Sequence, residues 1–211
     1  MASAWFAWGA VLLGPAAGLA LDRLACRLGG CEGGPRRVWI LVLACPALAL
    51  WAQLVQPGAT GFMGALLAWQ LLLLARLDAQ QFWLPLPLTL TLLATGLLAQ
   101  AASGPEALFH GGVGAFAGWA ALTAIAFAYR RLRGREGLGG GDAWLLAGGG
   151  AWTGWIALPT ILVWAAAGGL VAVAALAASG RPVGRTQPLP FGVGLAFGIW
   201  LAWLYGPIGR A

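Results

Sequence analysis

Six carboxylates are all the acid this chain has: Asp22, Glu32, Asp78, Glu106, Glu136 and Asp142. Its single histidine is His110, and its three cysteines are Cys26, Cys31 and Cys45. That inventory restricts the chemistry. One His leaves no room for a Ser-His-Asp triad or a His-rich metal site. Cys26 and Cys31 are spaced C-x4-C with no second pair, two ligands short of a structural zinc centre, so all three cysteines read as free thiols and no metal is expected. A pair of carboxylates needs neither metal nor nucleophilic side chain. Two close acids share one proton; one then takes a proton from water while the other donates to a carbonyl oxygen.

Which acids qualify depends on position. Asp22 and Glu32 fall in an Arg-rich segment, Glu136 falls among Arg residues, and Glu106 follows Gly104-Pro105 in a short outer loop. Solvated or paired charge explains those four. Asp78 stands between an apolar run and Phe82-Trp83-Leu84, and Asp142 follows Gly139-Gly140-Gly141 directly. Glycines beside an acid remove side-chain bulk and let another backbone approach. His110 lies in the outer loop, away from these acids, as an interfacial residue without a catalytic role.

The elements that carry them are read from composition. Apolar residues are 61% of the 211 residues and charged residues 9%, against about 25% charged in an ordinary soluble domain. The apolar runs show no polar face, the pattern of helices buried all round. The expected fold is all-α, a polytopic integral membrane protein of about eight transmembrane helices: Ala2–Leu21, Val38–Val55, Gly61–Ala75, Leu84–Ala102, Gly111–Tyr129, Asp142–Gly154, Trp155–Ala178 and Pro190–Gly206. The first run has no Arg before Arg23, unlike a secretory signal, and reads as a retained helix. One transmembrane domain then occupies 1–211.

The formal net charge of +6 comes from twelve Arg and no Lys. Arg23, Arg27, Arg36 and Arg37 follow the first run, Arg76 the third, Arg130, Arg131, Arg133 and Arg135 the fifth, and Arg181 and Arg185 the seventh; only Arg210 breaks the alternation. Positive residues collect in cytoplasmic loops, so this arrangement marks membrane orientation and not a nucleic-acid partner. It puts Asp78 and Asp142 at the cytoplasmic rim of the bilayer. An Asp at a helix centre costs about 2.5–3.5 kcal/mol on insertion scales, and acids at membrane depth are functional candidates. On residue types alone, peptide hydrolysis, proton or cation coupling in a transporter, and a non-catalytic scaffold all stay open.

Longer matches narrow the choice. Glu136 through Trp155, including Gly139-Gly140-Gly141-Asp142 and followed by Leu158-Pro159, resembles the second catalytic motif of the type IV prepilin peptidases, which are G-x-G-D aspartic membrane peptidases. Asp78 through Pro85, running on to Leu88-Thr89-Leu90, resembles the first motif, and Pro190-Phe191-Gly192 the third. The resemblance implies that Asp78 and Asp142 are the catalytic pair, with Gly139, Gly141, Pro85, Pro190, Phe191 and Gly192 as supporting motif residues. It implies prepilin or pseudopilin substrates of a pilus or type II secretion system, cut after a Gly at the cytoplasmic face of the bacterial inner membrane. Larger members carry a cytoplasmic insert with two C-x-x-C pairs after the first helix, and N-methylate the product with S-adenosylmethionine. Here the segment Asp22 to Arg37 has no such insert, so no cofactor is expected unless methylation is retained. Three positions depart from the usual pattern: Leu86 where Asp is frequent, Trp144 where Lys is usual, and Val193 where Pro is frequent.

Overall fold

A computed structural model describes residues 2–29, 35–134, 139–178 and 190–209. Cys31, Glu32, Arg135, Glu136, Arg181, Arg185 and Arg210 lie outside the described residues. Those described form eight helices and no strand: α1 (Ala2–Gly29), α2 (Pro35–Val55), α3 (Ala59–Gln81), α4 (Leu86–Ser103), α5 (Pro105–Arg133), α6 (Gly140–Thr153), α7 (Leu158–Ala178) and α8 (Phe191–Tyr205), with a 3₁₀ turn at Trp155–Ala157 before α7. The chain divides into two compact units, Met1–Leu77 and Asp78–Ala211.

The protein is a multi-pass, all-α membrane protein, but six of these helices, not eight, are long and apolar enough to cross a membrane. The two that fall short are α6, of 14 residues, and α8, of 15. At 1.5 Å per residue they reach about 21–23 Å, less than the roughly 30 Å hydrocarbon core. Other boundaries also move. Helix α3 runs past Ala75 to Gln81, so Arg76 and Asp78 are helical. Helix α5 starts at Pro105, so Glu106 and His110 lie on its first turns and not in a loop.

Proline and glycine set the ends. Pro85 precedes α4, and Gly104, at φ 125°, breaks the chain before Pro105 opens α5. Gly134, at φ 63°, closes α5 in the left-handed conformation that glycine adopts without a side-chain clash. Three Arg in the last turn of α5 (Arg130, Arg131 and Arg133) face the negative end of its dipole.

In the first unit α1 packs on α2. A β-carbon on Gly14 would meet Pro46, and one on Gly18 would meet the Leu41 carbonyl at 2.6 Å. Trp69 of α3 donates to the Cys45 carbonyl at 3.0 Å, and Ala10, Ala49 and Ala65 form a small apolar core. Arg76 and Asp22 form an ion pair at 2.6 Å, their side chains only 14% and 15% exposed. Asp22 is therefore not a solvated loop charge: it lies in α1 and neutralises an Arg carried on a membrane-spanning helix. Cys45 is a free, buried thiol, but Cys26 is disulfide-bonded, against the expectation of a free thiol.

In the second unit the short α6 is the hub, touched by α4, α5, α7 and α8. Helix pairs approach through glycines four apart, the small-residue spacing by which membrane helices bring backbones together. Gly114 and Gly118 of α5 face Gly150 and Leu146 of α6, and Gly194 and Gly198 of α8 face Ala165 and Ile161 of α7. Trp152 of α6 donates to the Leu92 carbonyl of α4 at 3.0 Å.

Gly118 and Gly112 give a matched test. A β-carbon on Gly118 would sit 2.8 Å from the Leu146 carbonyl oxygen, whereas one on Gly112 meets nothing within 4 Å. Gly118→Ala is expected to cost about 1–3 kcal/mol through overpacking, while Gly112→Ala, which gains helix propensity, leaves stability unchanged or raises it. Thermal unfolding in detergent measures both.

Candidate active site

Asp78 lies in the last turn of α3, and the chain reverses immediately after it. The Phe82 N–H donates to the Asp78 carbonyl at 2.9 Å. Phe82 then takes φ 52°, the one positive-φ non-glycine residue among those described. This left-handed step ends the helix and turns Trp83, Leu84 and Pro85 back into α4. Leu84 and Pro85 are buried, whereas Phe82, Trp83 and Leu86 are about half exposed.

The Asp78 side chain is 5% exposed and points at the start of α8. Its Oδ2 accepts the Val193 N–H at 3.1 Å, and the Gly192 N–H faces the same carboxylate. These are amides that a helix start leaves without internal partners. The carboxylate therefore caps α8 from another helix, where the positive end of the dipole favours it. Pro190 precedes the helix and Phe191 opens it. Gly192 makes the approach possible, since a β-carbon there would sit 2.8 Å from Asp78 Oδ2. The third motif, Pro190-Phe191-Gly192, is thus the seat of the first motif's acid.

Asp142 occupies the first turn of α6 and is 6% exposed. Its Oδ2 accepts the Gly139 N–H at 3.2 Å, closing the start of its own helix. Gly141 lets the turn between α3 and α4 press on α6, because a β-carbon on it would lie 2.6 Å from Leu84 Cβ. Leu84 also reaches Gly192, with Cδ1 3.1 Å from the β-carbon position there. One buried leucine therefore lies against the glycine next to Asp142 and the glycine that receives Asp78. Through Leu84 both carboxyl groups are thus placed about the same turn.

Of the expected site residues, Asp78, Pro85, Gly141, Asp142 and Gly192 thus lie at or beside this turn, Gly139 holds Asp142, and Pro190 and Phe191 open the helix that receives Asp78. His110 does not join them. No three His, Cys, Asp or Glu side chains come together among the described residues. Leu84 was not singled out in the sequence; its only signal was its place before Pro85, an apolar residue among apolar residues.

Residues 65–175 match the type IV leader peptidase family, slightly more than half of the chain. The chain belongs to that family. It is 36% identical over 183 residues to a prepilin leader peptidase/N-methyltransferase of Aeromonas salmonicida, covering 86% of this chain and 62% of that protein. It is 41% identical over 176 residues to the protein of that name from Dickeya chrysanthemi, with 82% and 59% covered. With that of Pseudomonas aeruginosa it shares 40% over 146 residues, covering 67% and 48%. The chain spans less than two thirds of the length of these relatives. No solved structure matches it.

The three departures of this leader peptidase family member fall on different features. Leu86 is the exposed first residue of α4. Trp144 is half-buried, its ring 6.0 Å from that of Trp119 on α5. Val193 supplies a backbone N–H to Asp78, which a proline cannot.

The capping role is separable from acidity. Asp78→Ala is expected to lose about 0.5–2 kcal/mol of local stability at the start of α8, whereas Asp78→Asn keeps an acceptor oxygen and loses less. Amide hydrogen exchange over residues 191–195 should quicken in the Ala variant more than in the Asn variant; equal rates in both would remove the cap.

Proposed function

We propose that the chain is a membrane aspartic endopeptidase that removes the leader of prepilin or pseudopilin substrates, acting as one peptidase domain across 1–211. The observation that carries this reading is the burial of Asp78 and Asp142, from two distant helices, around a single turn held by Leu84. Family membership supports it.

The chemistry follows from the pair. Two neighbouring carboxyl groups do not ionise together readily, so they hold one proton between them. The ionised member takes a proton from a water molecule as its oxygen attacks the scissile carbonyl carbon. The protonated member gives its proton to the carbonyl oxygen, forming a neutral tetrahedral diol. Collapse of the diol breaks the C–N bond, with a proton returned to the leaving nitrogen. The two titrations belong to the pair and not to either residue. The half-exposed Phe82, Trp83 and Leu86 beside the acids offer apolar surface to a substrate cut next to an apolar helix. Hydrolysis needs no organic cofactor. S-adenosylmethionine belongs to a second, methyl-transfer activity, which is not part of the proposal.

The Arg alternation supports an inner-membrane orientation with both acids at the cytoplasmic rim. Disulfides are rare in a reducing cytoplasm, and the one at Cys26 falls in the same Arg-bearing segment; the nine Arg that follow the first, third and fifth spans are the heavier argument, an alternation that six crossings do not extend to Arg181 and Arg185.

Co-expression with a prepilin tests the reaction. Asp78→Asn and Asp142→Asn should each lower cleavage by at least about a hundredfold, the usual loss when an acid–base group goes. Processing by either variant at the wild-type rate would refute the mechanism. Substrate bound but never cut by the wild type would leave a scaffold.

Orientation has its own test. A cysteine placed at Ser103 should react with a membrane-impermeant maleimide in intact spheroplasts. One placed at Arg133 should react only after permeabilisation. The reverse pattern would invert the topology.

A further inference from the structure

Helix α6 leads away from the acids. From Asp142 to Thr153 it climbs eleven residues, about 17 Å, to the end of the second unit where a single glycine, Gly104, joins α4 to α5. A cavity of about 410 Å³ lies there, lined by Gln100, Glu106, His110, Thr153 and Trp155 among others. That volume falls in the range of small-molecule pockets, roughly 300–1,000 Å³. None of these residues belongs to the aspartate site.

The lining groups are already oriented. The Trp155 indole donates to His110 Nδ1 at 2.8 Å, and the two rings stack with centroids 6.4 Å apart. An indole nitrogen is only ever a donor. His110 Nδ1 is therefore an acceptor, and the proton of the neutral imidazole sits on Nε2. A histidine that binds metal shows the opposite arrangement, donating from its other nitrogen. Nε2–H is thus a donor presented to a ligand. Its neighbour one turn away, the Glu106 carboxylate, is 3.9 Å off with a side chain 92% exposed, too far to be a hydrogen bond.

The remaining lining is rich in acceptors. The Gln100 amide nitrogen is used on the Trp152 carbonyl at 3.0 Å, which leaves its carbonyl oxygen as the group's other face. The Thr153 hydroxyl donates to the Gly149 carbonyl at 2.9 Å and keeps its lone pairs. A carboxylate, neutral acceptor oxygens and an indole ring together suit an ammonium group carrying N–H donors. His110 Nε2–H, a side-chain donor in the lining, suits an anionic oxygen close to that ammonium.

We propose that this cavity binds a phosphate ester bearing a primary ammonium, the ammonium on Glu106 and the phosphate on His110. A chain crossing a bilayer meets that chemistry as an ethanolamine lipid headgroup; free phosphoethanolamine is the other source. Phe109, 67% exposed beside His110, supplies apolar surface for an acyl chain.

Native mass spectrometry of the full chain in detergent, titrated with short-chain phosphatidylethanolamine and phosphatidylglycerol, tests the proposal. The ethanolamine lipid should bind about two- to fivefold tighter, the worth of one solvent-exposed ion pair. Glu106→Gln should erase that preference, and His110→Ala should weaken the binding of both lipids, while circular dichroism shows unchanged helix content. Displacement of the lipid by free phosphoethanolamine would identify the headgroup alone as the ligand; its failure to compete would identify the bilayer lipid. Equal binding of the two lipids, a preference that survives Glu106→Gln, or unchanged affinity in His110→Ala overturns the proposal.

Discussion

The capping of α8 by the Asp78 carboxylate is the contact on which the site's geometry depends. A buried carboxylate needs donors, and a helix start needs an acceptor. Here each need answers the other across 115 residues of sequence. The bond fixes where α3 ends relative to α8, and so fixes the turn that follows Asp78. Leu84 in that turn then locates Gly141, and through it the first turn of α6 with Asp142. Acids that are far apart in sequence are brought together by two glycines and one leucine.

The short helices fit this arrangement. Helices α6 and α8 start at the aspartate site, and neither is long enough to cross a full hydrocarbon core. Backbone amides at the start of a helix buried in a membrane protein must be satisfied within the protein. At α8 Asp78 does this for Val193, and at α6 Asp142 does it for Gly139. The same two carboxylates therefore serve stability and, in the proposed mechanism, proton transfer.

Much of this was legible in the sequence, because the signals were chemical. Acids at membrane depth are costly, which singled out Asp78 and Asp142, and the glycines around them announced close approach. What the sequence hid was length and partnership. An apolar run does not reveal whether its helix is 15 or 23 residues long, so α6 and α8 passed for full spans and α3 lost its last turn. Asp22 looked like loop charge because Arg76, its partner, is 54 residues away. Cys26 looked like a free thiol because C-x4-C spacing describes separation along the chain and not geometry. His110 was rightly kept from the acids, but its bond with Trp155 could not be foreseen in a chain with thirteen tryptophans.

The departures from the family pattern are informative because each meets the site differently. Leu86 removes a charge from an exposed turn and touches neither acid's hydrogen bonds. Trp144 exchanges a cation for an aromatic ring that packs on Trp119 of α5. Val193 adds to the site: its amide gives Asp78 a hydrogen bond that a proline there would withhold. None of the three departures removes a hydrogen bond that holds either acid: Asp78 keeps the Val193 N–H and Asp142 the Gly139 N–H.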